Sequence, residues 1–377
     1  MTTTGSDRPL VAFDTGSLHG HQTGIGLAVG STLAALRDDG RVAIAPYVLS
    51  LRSRPAAGVR KLPLPAALAH RWWSRSGLPV DRLLGSPDVV HGTNYVVPPA
   101  TCARLVSVYD CWFLEHPDDA TPDVRRAGAV LRRSVDHGAH VVTCSDATTQ
   151  RVRTLLGTDR VTTVLLGPPT PPTSAAPSDS QEPDPQHRLG MLDDAPFVLS
   201  LGTVERRKNI PALVVAFGRL ADEHETVRLV IAGAPGNDQA ATEREIDALP
   251  TGVRDRVFRL GPVSADVKQR LLSSAAVLAY ISLDEGFGFP LLEAQQARLP
   301  IVASSAGSIP EVAGAAALLS APGDIAAVAA NMHLAITSEA VRAKLISQSE
   351  RNLERFAWSA TARQLIDLYL TLANGPR

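Results

Sequence analysis

Eighteen residues, P-P-T-P-P-T-S-A-A-P-S-D-S-Q-E-P-D-P from Pro168 to Pro185, divide the chain. Seven of them are prolines, each with a fixed φ and no N–H, so neither a helix nor a central strand can run through them. The stretch reads as an extended linker. On both sides of it, short β-rich apolar runs alternate with segments of helical periodicity, the pattern of parallel α/β sheets. Before the linker the strand candidates are Leu10–Asp14, Val42–Leu49, Asp88–His91, Leu105–Tyr109, His140–Cys144 and Val161–Leu165, with helices such as Gly26–Asp38 and Val124–His137 between them. After it come Phe197–Leu201, Arg228–Ala232, Val257–Leu260, Val277–Ser282, Ile301–Ala303 and Ala317–Leu319, with helices at Ile210–Ala221, Ala265–Ala275 and Leu291–Arg298.

The expected segmentation is a domain over 1–170, a linker over 171–190, a second domain over 191–355, and a terminal helix over 356–377 packing back toward the first domain. A length of 377 residues suffices for two such cores. Two doubly wound domains on one linker would face each other across a cleft, a usual place for a ligand. The composition, 45% hydrophobic and 20% charged, is that of a water-soluble chain, and a net charge of −1 argues against a nucleic-acid partner. No apolar run is long enough to span a bilayer, and the first residues hold no apolar signal core, so a cytoplasmic protein is expected. Cys102, Cys111 and Cys144 are scattered, without metal-ligand spacing, and read as reduced thiols.

The richest chemical signal is S-L-D-E-G-F-G-F-P-L-L-E, from Ser282 to Glu293. It leaves a strand, turns through Gly286, Phe287, Gly288 and Phe289, and enters a helix for which Pro290 suits the first position. Such a turn brings bare backbone N–H groups up to an anion at a helix N-terminus. Glu285 and Glu293 make little sense for the anion but suit a ligand that also carries hydroxyls, which points to a nucleotide sugar. A second segment, L-G-T-V-E-R-R-K-N-I-P from Leu201 to Pro211, also leaves a strand and presents Arg206, Arg207 and Lys208 before a helix. Alone it is as readily a solvated basic turn; beside the Glu285 segment it reads as a diphosphate site, where the cations would do the work of a metal ion. No Asp-x-Asp triplet occurs in the chain, so no metal and no cofactor are expected.

In the first half, F-D-T-G-S-L-H-G-H-Q-T-G-I-G ends a strand at Asp14, carries His19 and His21, and opens a helix with Gly24 and Gly26. The three-glycine dinucleotide fingerprint is missing; the pair serves either close approach to a ligand or tight packing. H-G-T-N-Y-V-V-P-P and V-Y-D-C-W-F-L-E-H-P both follow strand candidates, which makes Asn94, Tyr95 and Asp110 plausible ligand contacts or structural loop residues. Arg52, Arg54, Arg60 and Lys61 precede a segment with Trp72 and Trp73. That mixture can dock on an anionic membrane; the weightier reading is a surface helix with its aromatics tucked into the core.

In order along the chain, T-G-I-G, H-G-T-N-Y-x-x-P, Y-D-x-x-F-x-x-H-P, G-T-V-E-R-R-K-N, and E-G-F-G-F-P-L-L-E followed by P-I-V-A-S-S-A-G-S-I-P-E-V resemble the retaining glycosyltransferases of family 4. The resemblance implies the GT-B fold, two Rossmann-like doubly wound domains facing across a cleft, the first binding acceptor and the second nucleotide sugar. It implies transfer of a hexose, with mannose from a guanosine donor among the candidates, to a glycan, lipid-linked or small-molecule hydroxyl, in the cytoplasm or at the inner face of the membrane. Glu285, Asp110 and Lys208 would be catalytic. Gly24, Gly26, Arg207, Lys208, Gly286, Phe287, Gly288, Phe289 and Glu293 would hold the donor, with Glu293 on the ribose, and Asn94, Tyr95 and Tyr109 would line the acceptor side. Two positions depart from the family pattern. Tyr109 stands where relatives have His, with His116, His19 or His21 as substitutes, and Gln295-Gln296-Ala297-Arg298 replaces Met-Ala-x-Gly. The competing readings are a GT-B sugar-nucleotide epimerase or hydrolase, and a nucleotide-sugar-binding protein with weakened catalysis.

Overall fold

The computed structural model describes residues 8–19, 24–170 and 195–375. The expected linker at 171–190 and His21 lie outside them. The chain forms two compact units, one of residues 1–167 with 356–377 and one of residues 168–355.

The first unit is built on a seven-stranded sheet with order β3-β2-β1-β4-β5-β6-β7, every neighbouring pair parallel. Its strands are β1 (Leu10–Asp14), β2 (Ala43–Leu49), β3 (Arg60–Leu62), β4 (Val89–Gly92), β5 (Ala103–Val108), β6 (His140–Thr143) and β7 (Val161–Thr163). Both faces are apolar because successive side chains alternate across a covered sheet. Val11, Phe13, Val89 and Leu105 lie on one face, Ala12, Val90 and Val106 on the other. The terminal helix, Trp358–Asn374, covers the first of these faces. Its Ala362, Leu365, Ile366 and Tyr369 follow i, i+3, i+4, i+7 spacing and are buried there. Tyr369 also shares a 2.6 Å hydrogen bond with His91 of β4, whose other ring nitrogen lies 2.8 Å from Ser107 Oγ. Burial pushes the His91 imidazole down to about 3, so it is a neutral tie.

The second unit holds a six-stranded sheet, order β10-β9-β8-β11-β12-β13, again parallel throughout. Its strands are β8 (Phe197–Leu201), β9 (Arg228–Ala232), β10 (Val257–Gly261), β11 (Val277–Tyr280), β12 (Ile301–Ser304) and β13 (Ala317–Ser320). In both sheets the chain winds outward from one strand, then restarts beside it, at β1/β4 and at β8/β11. The crevice at the carboxyl ends of those two strands is where open α/β sheets bind ligands.

Three local expectations need correction. The short edge strand β3 was not expected, since R-K-L offers no alternation. The helix after the glycine turn runs Phe289–Gln296, so Pro290 is its second residue and Arg298 lies beyond it with φ 57°, a left-handed conformation that favours glycine. In the Ala66–Trp73 helix only one aromatic is tucked in: Trp73 is 2% exposed, Trp72 40%.

Candidate active site

In the second unit the β8/β11 switch point gathers the residues that the sequence singled out. After β8 the chain makes a short helical turn, Arg206–Lys208, ended by Asn209 in the left-handed conformation. The Asn209 amide holds that turn down by donating to the carbonyls of Ile281 and Pro322. Lys208 and Arg207 are thereby aimed at the loop that follows β11. Lys208 Nζ lies 2.5 Å from Glu285 Oε1 and donates to the Tyr280 hydroxyl at 2.9 Å. Arg207 reaches Glu285 Oε2 at 2.6 Å and Glu205 at 3.4 Å. Ser282 Oγ completes the set, donating to Glu285 Oε1 at 2.8 Å.

Glu285 is 5% exposed, and burial works against its charge. Lys208 and Arg207 outweigh that burial and hold the carboxyl down at about 2. Burial lowers the Lys208 ammonium from its ordinary range, and Glu285 counters only part of the effect. The Tyr280 hydroxyl is pushed well up, by burial first and then by Glu285. It therefore stays protonated as a fixed neutral partner of Lys208.

The turn beyond Glu285 is equally constrained. Gly288 has φ 91° and caps the Phe289–Gln296 helix. Phe287 and Phe289 pack edge to face with centroids 5.3 Å apart. Gly307, on the loop after β12, has φ 54°, and a Cβ there would stand 2.5 Å from Asp284 Oδ1 and 2.6 Å from the Glu285 carbonyl. Only glycine admits that approach. Glu293, on the helix, is bound by Lys268 Nζ at 2.5 Å. The structure thus joins Glu285, Arg207 and Lys208 directly and gives Glu293 a cation of its own.

Sequence reasoning missed Tyr280, Ser282, Gly307 and Lys268. The first two end an apolar strand, and Lys268 lies 25 residues from its partner. Only their positions at the carboxyl edge of the sheet could have marked them.

The first unit brings its own residues together at the β1/β4 switch point. Tyr95, at φ 59°, donates from its hydroxyl to Asp110 Oδ2 at 3.2 Å, while Asp110 Oδ1 accepts from the Trp112 N–H. The rings of Tyr95 and Tyr109 meet edge to face at 6.3 Å, and burial raises the Tyr109 hydroxyl above its ordinary range. Asn94 Oδ1 is buried without a hydrogen-bond partner among the described residues. Gly24 is exposed and Gly26 buried at the start of the Gly24–Asp39 helix. His19 is exposed, and His116 stacks on Trp112 with centroids 3.7 Å apart.

Asp14 was not anticipated as a site residue. It ends β1, its Oδ1 accepts the Gly16 N–H at 2.9 Å, and burial raises its carboxyl to about 6 against the hydrogen bonds from Gly16 and Thr93.

Residues 184–352 match the family model described as glycosyl transferases group 1. Across those residues the chain belongs to this family. It is thus a glycosyltransferase, and the acidic–basic cluster at β8/β11 lies inside the matched region. Among its relatives is O-antigen chain mannosyltransferase B of Escherichia coli, 27% identical over 75% of this chain and 74% of that protein. D-inositol 3-phosphate glycosyltransferase of Xylanimonas cellulosilytica is 32% identical over 54% of this chain, a match that spans 47% of the relative. Among solved structures, sucrose-phosphate synthase from Thermosynechococcus elongatus has a TM-score of 0.71 at 17% identity, covering 97% of this chain and 99% of that one. Anabaena Alr3699/HepE in complex with UDP and glucose has a TM-score of 0.70 at 18% identity, covering 97% and 100%. At those identities the likeness is one of fold, and the glycosyltransferase fold here is GT-B.

Proposed function

We propose that the protein is a metal-independent, retaining hexosyltransferase that moves a sugar from a nucleoside-diphosphate donor to a hydroxyl of a glycan, lipid-linked or small-molecule acceptor. The observation that carries this reading is the buried contact of Lys208 and Arg207 with Glu285 at the β8/β11 switch point. Two cations converge there on Glu285, and Arg207 also touches Glu205, so a diphosphate would be received by exchanging these carboxylate contacts of Arg207 and Lys208 for its own oxygens. In the proposed reaction the bond from the anomeric carbon to the diphosphate oxygen breaks, and its electron pair leaves with the nucleoside diphosphate. The acceptor oxygen bonds to the same face of the sugar, and its proton goes to the departing phosphate oxygen. Lys208 and Arg207 stabilise the charge developing on the diphosphate, so catalysis rests on positioning and electrostatics. Glu285 holds the sugar beside the backbone of Phe287, Gly288 and Phe289, and Glu293 takes the ribose hydroxyls. Asn94, Tyr95 and Tyr109 serve the acceptor side, Asp110 takes a catalytic role, and Gly24 and Gly26 bind the donor. The O-antigen mannosyltransferase relative favours mannose as the sugar.

No helix among the described residues is long and apolar enough to cross a membrane. The reading places the enzyme in the cytoplasm, where nucleotide sugars are made.

The test is a thermal-shift series with UDP, GDP, dTDP and ADP followed by turnover with the matching sugar donor in excess EDTA. One nucleotide should raise the melting temperature, and Lys208→Ala should weaken its binding at least tenfold. Turnover should persist in EDTA and need an acceptor. Product without an acceptor would point to the epimerase or hydrolase reading; a shift that Lys208→Ala leaves intact would remove the cluster from the donor site.

A further inference from the structure

We infer that Glu223, His224 and His333 form a binding site for a divalent transition-metal ion, in the second unit and away from the donor cluster. The three stand at the last turns of two helices that pack against each other, Ile210–Glu223 and Ile325–Thr337. Leu213, Phe217 and Leu220 of the first share one buried cluster with Val328, Met332 and Ala335 of the second. At the other end Asn209, just ahead of the first helix, donates from its amide to the Pro322 carbonyl, just ahead of the second. The two helices therefore run the same way and finish side by side.

Successive residues of a helix point about 100° apart, so Glu223 and a helical neighbour would not face one partner. His224 leaves the helix instead. Its N–H still closes the last turn on the Leu220 carbonyl at 3.1 Å, but its φ of −133° and ψ of 96° are extended. Both side chains then reach His333, whose Nδ1 lies 2.8 Å from Glu223 Oε2 and 3.0 Å from His224 Nε2. Each of the three offers an atom within 4.8 Å of the others, an arrangement that no other three His, Cys, Asp or Glu side chains among the described residues share. Hydrogen bonding accounts for it poorly, because Nδ1 carries either one hydrogen or one lone pair. With the hydrogen given to Glu223, Nδ1 can no longer accept from His224 Nε2; with the hydrogen absent, the carboxylate faces a lone pair. A metal ion takes a lone pair from all three at once.

Two imidazoles and a carboxylate suit a borderline-soft ion such as Zn²⁺, whereas Mg²⁺ and Ca²⁺ take oxygen ligands. Tetrahedral ligands at about 2.0–2.1 Å from zinc stand roughly 3.3–3.4 Å from one another, so the two short contacts need to open only a little. The Glu223 and His333 side chains are 64% and 39% exposed, which leaves an entry path and a fourth position for water. The carbonyl end of a helix favours a cation. Arg256 already sits there, donating to the carbonyls of Ala221, His224 and Val227, and Glu223 offsets the second charge. The site lies at the far end of a 14-residue helix, about 20 Å from the Arg206–Lys208 turn. It therefore clamps two helices without touching the donor, and the donor reading and this one fail separately.

The untagged full chain, stripped with EDTA and exchanged into metal-free buffer, is to be titrated calorimetrically with zinc chloride and with magnesium chloride. One Zn²⁺ per chain is expected to bind, Mg²⁺ is not, and Zn²⁺ should raise the melting temperature. His224→Ala and His333→Ala should each weaken Zn²⁺ binding at least about tenfold and abolish the thermal shift. Both histidines are only half-buried, so the stripped variants should melt with the stripped wild type, which separates a lost ligand from lost folding. Absence of Zn²⁺ binding to the wild type in the micromolar range overturns the proposal, whatever the variants do. So does Zn²⁺ binding that survives both substitutions, or that Mg²⁺ equals.

Discussion

Replacing Glu285 by glutamine isolates the electrostatics of the β8/β11 cluster. The side chain keeps its shape and its hydrogen bond with Ser282, but Lys208 and Arg207 are left facing a neutral amide in a buried site. In the unfolded chain the carboxyl titrates at about its ordinary 4.5, and in the folded chain at about 2. A folded value below the unfolded one means that ionised Glu285 stabilises the fold above the unfolded value and that this stability disappears as pH falls through the folded one. The gap corresponds to about 3 kcal/mol, present in full above pH 5, less than half retained at pH 3 and almost gone at pH 2. Protonated glutamate and glutamine are near equivalents, so the wild type and Glu285→Gln should converge in acid. The assay is urea denaturation of both proteins at pH 7, 4 and 3, followed by a probe of the second unit. At pH 7 the variant should be less stable by roughly 3 kcal/mol, and the difference should shrink steadily on acidification. Because the freed cations suit a diphosphate, nucleoside diphosphate should restore much of the loss at pH 7. Turnover should fall by orders of magnitude. A stability difference that is constant from pH 7 to pH 3, or smaller than about 1 kcal/mol at pH 7, would refute the reasoning that the two cations hold this carboxylate.

Asp14 shows the opposite sign: its folded value, about 6, lies above the ordinary 3.8, so the native state retains the proton, and stability is lost as pH rises from the lower value through the higher one. Asp14→Asn should therefore stabilise the protein at pH 8, by up to about 3 kcal/mol, and leave it unchanged at pH 3, as read by denaturation at the two pH values. Arg298→Gly should raise stability by roughly 0.5–1 kcal/mol in the same assay, because Arg298 adopts φ 57° and its exposed pair with Glu350 contributes little.

Where an unbroken apolar run marks a strand buried on both faces, as in β1, β4 and β8, the strand could be read from the chain within a residue or two. What escaped was structure whose cause is not local. β3 is three residues long and exists because β2 offers it a partner through Tyr47, Val48 and Leu49; no propensity in R-K-L announces it. The two tryptophans are neighbours with the same chemistry, and which one is buried depends on a 100° rotation about the helix axis. Arg298 obeys the geometry of the chain entering β12, which calls for a left-handed residue and which this sequence meets with a strained one.

The site divides along the same line. Arg207, Lys208 and Glu285 were legible because each stands directly after a strand of a parallel sheet, and the winding of such a sheet forces adjacent strand ends together at the switch point. The pairing of Glu293 with Lys268 depends instead on which face two separate helices present, and the chain carries no mark of it. This difference has a chemical consequence. Glu285 is held by two cations within its own ring of contacts, so a diphosphate arriving there must compete with the carboxylate for Arg207 and Lys208. Glu293 already has its own cation, so hydroxyls of a ligand could bind its free oxygen without breaking that pair. A ligand with both a diphosphate and a diol therefore disturbs one ion pair and leaves the other standing, and the first is the one poised to respond to charge.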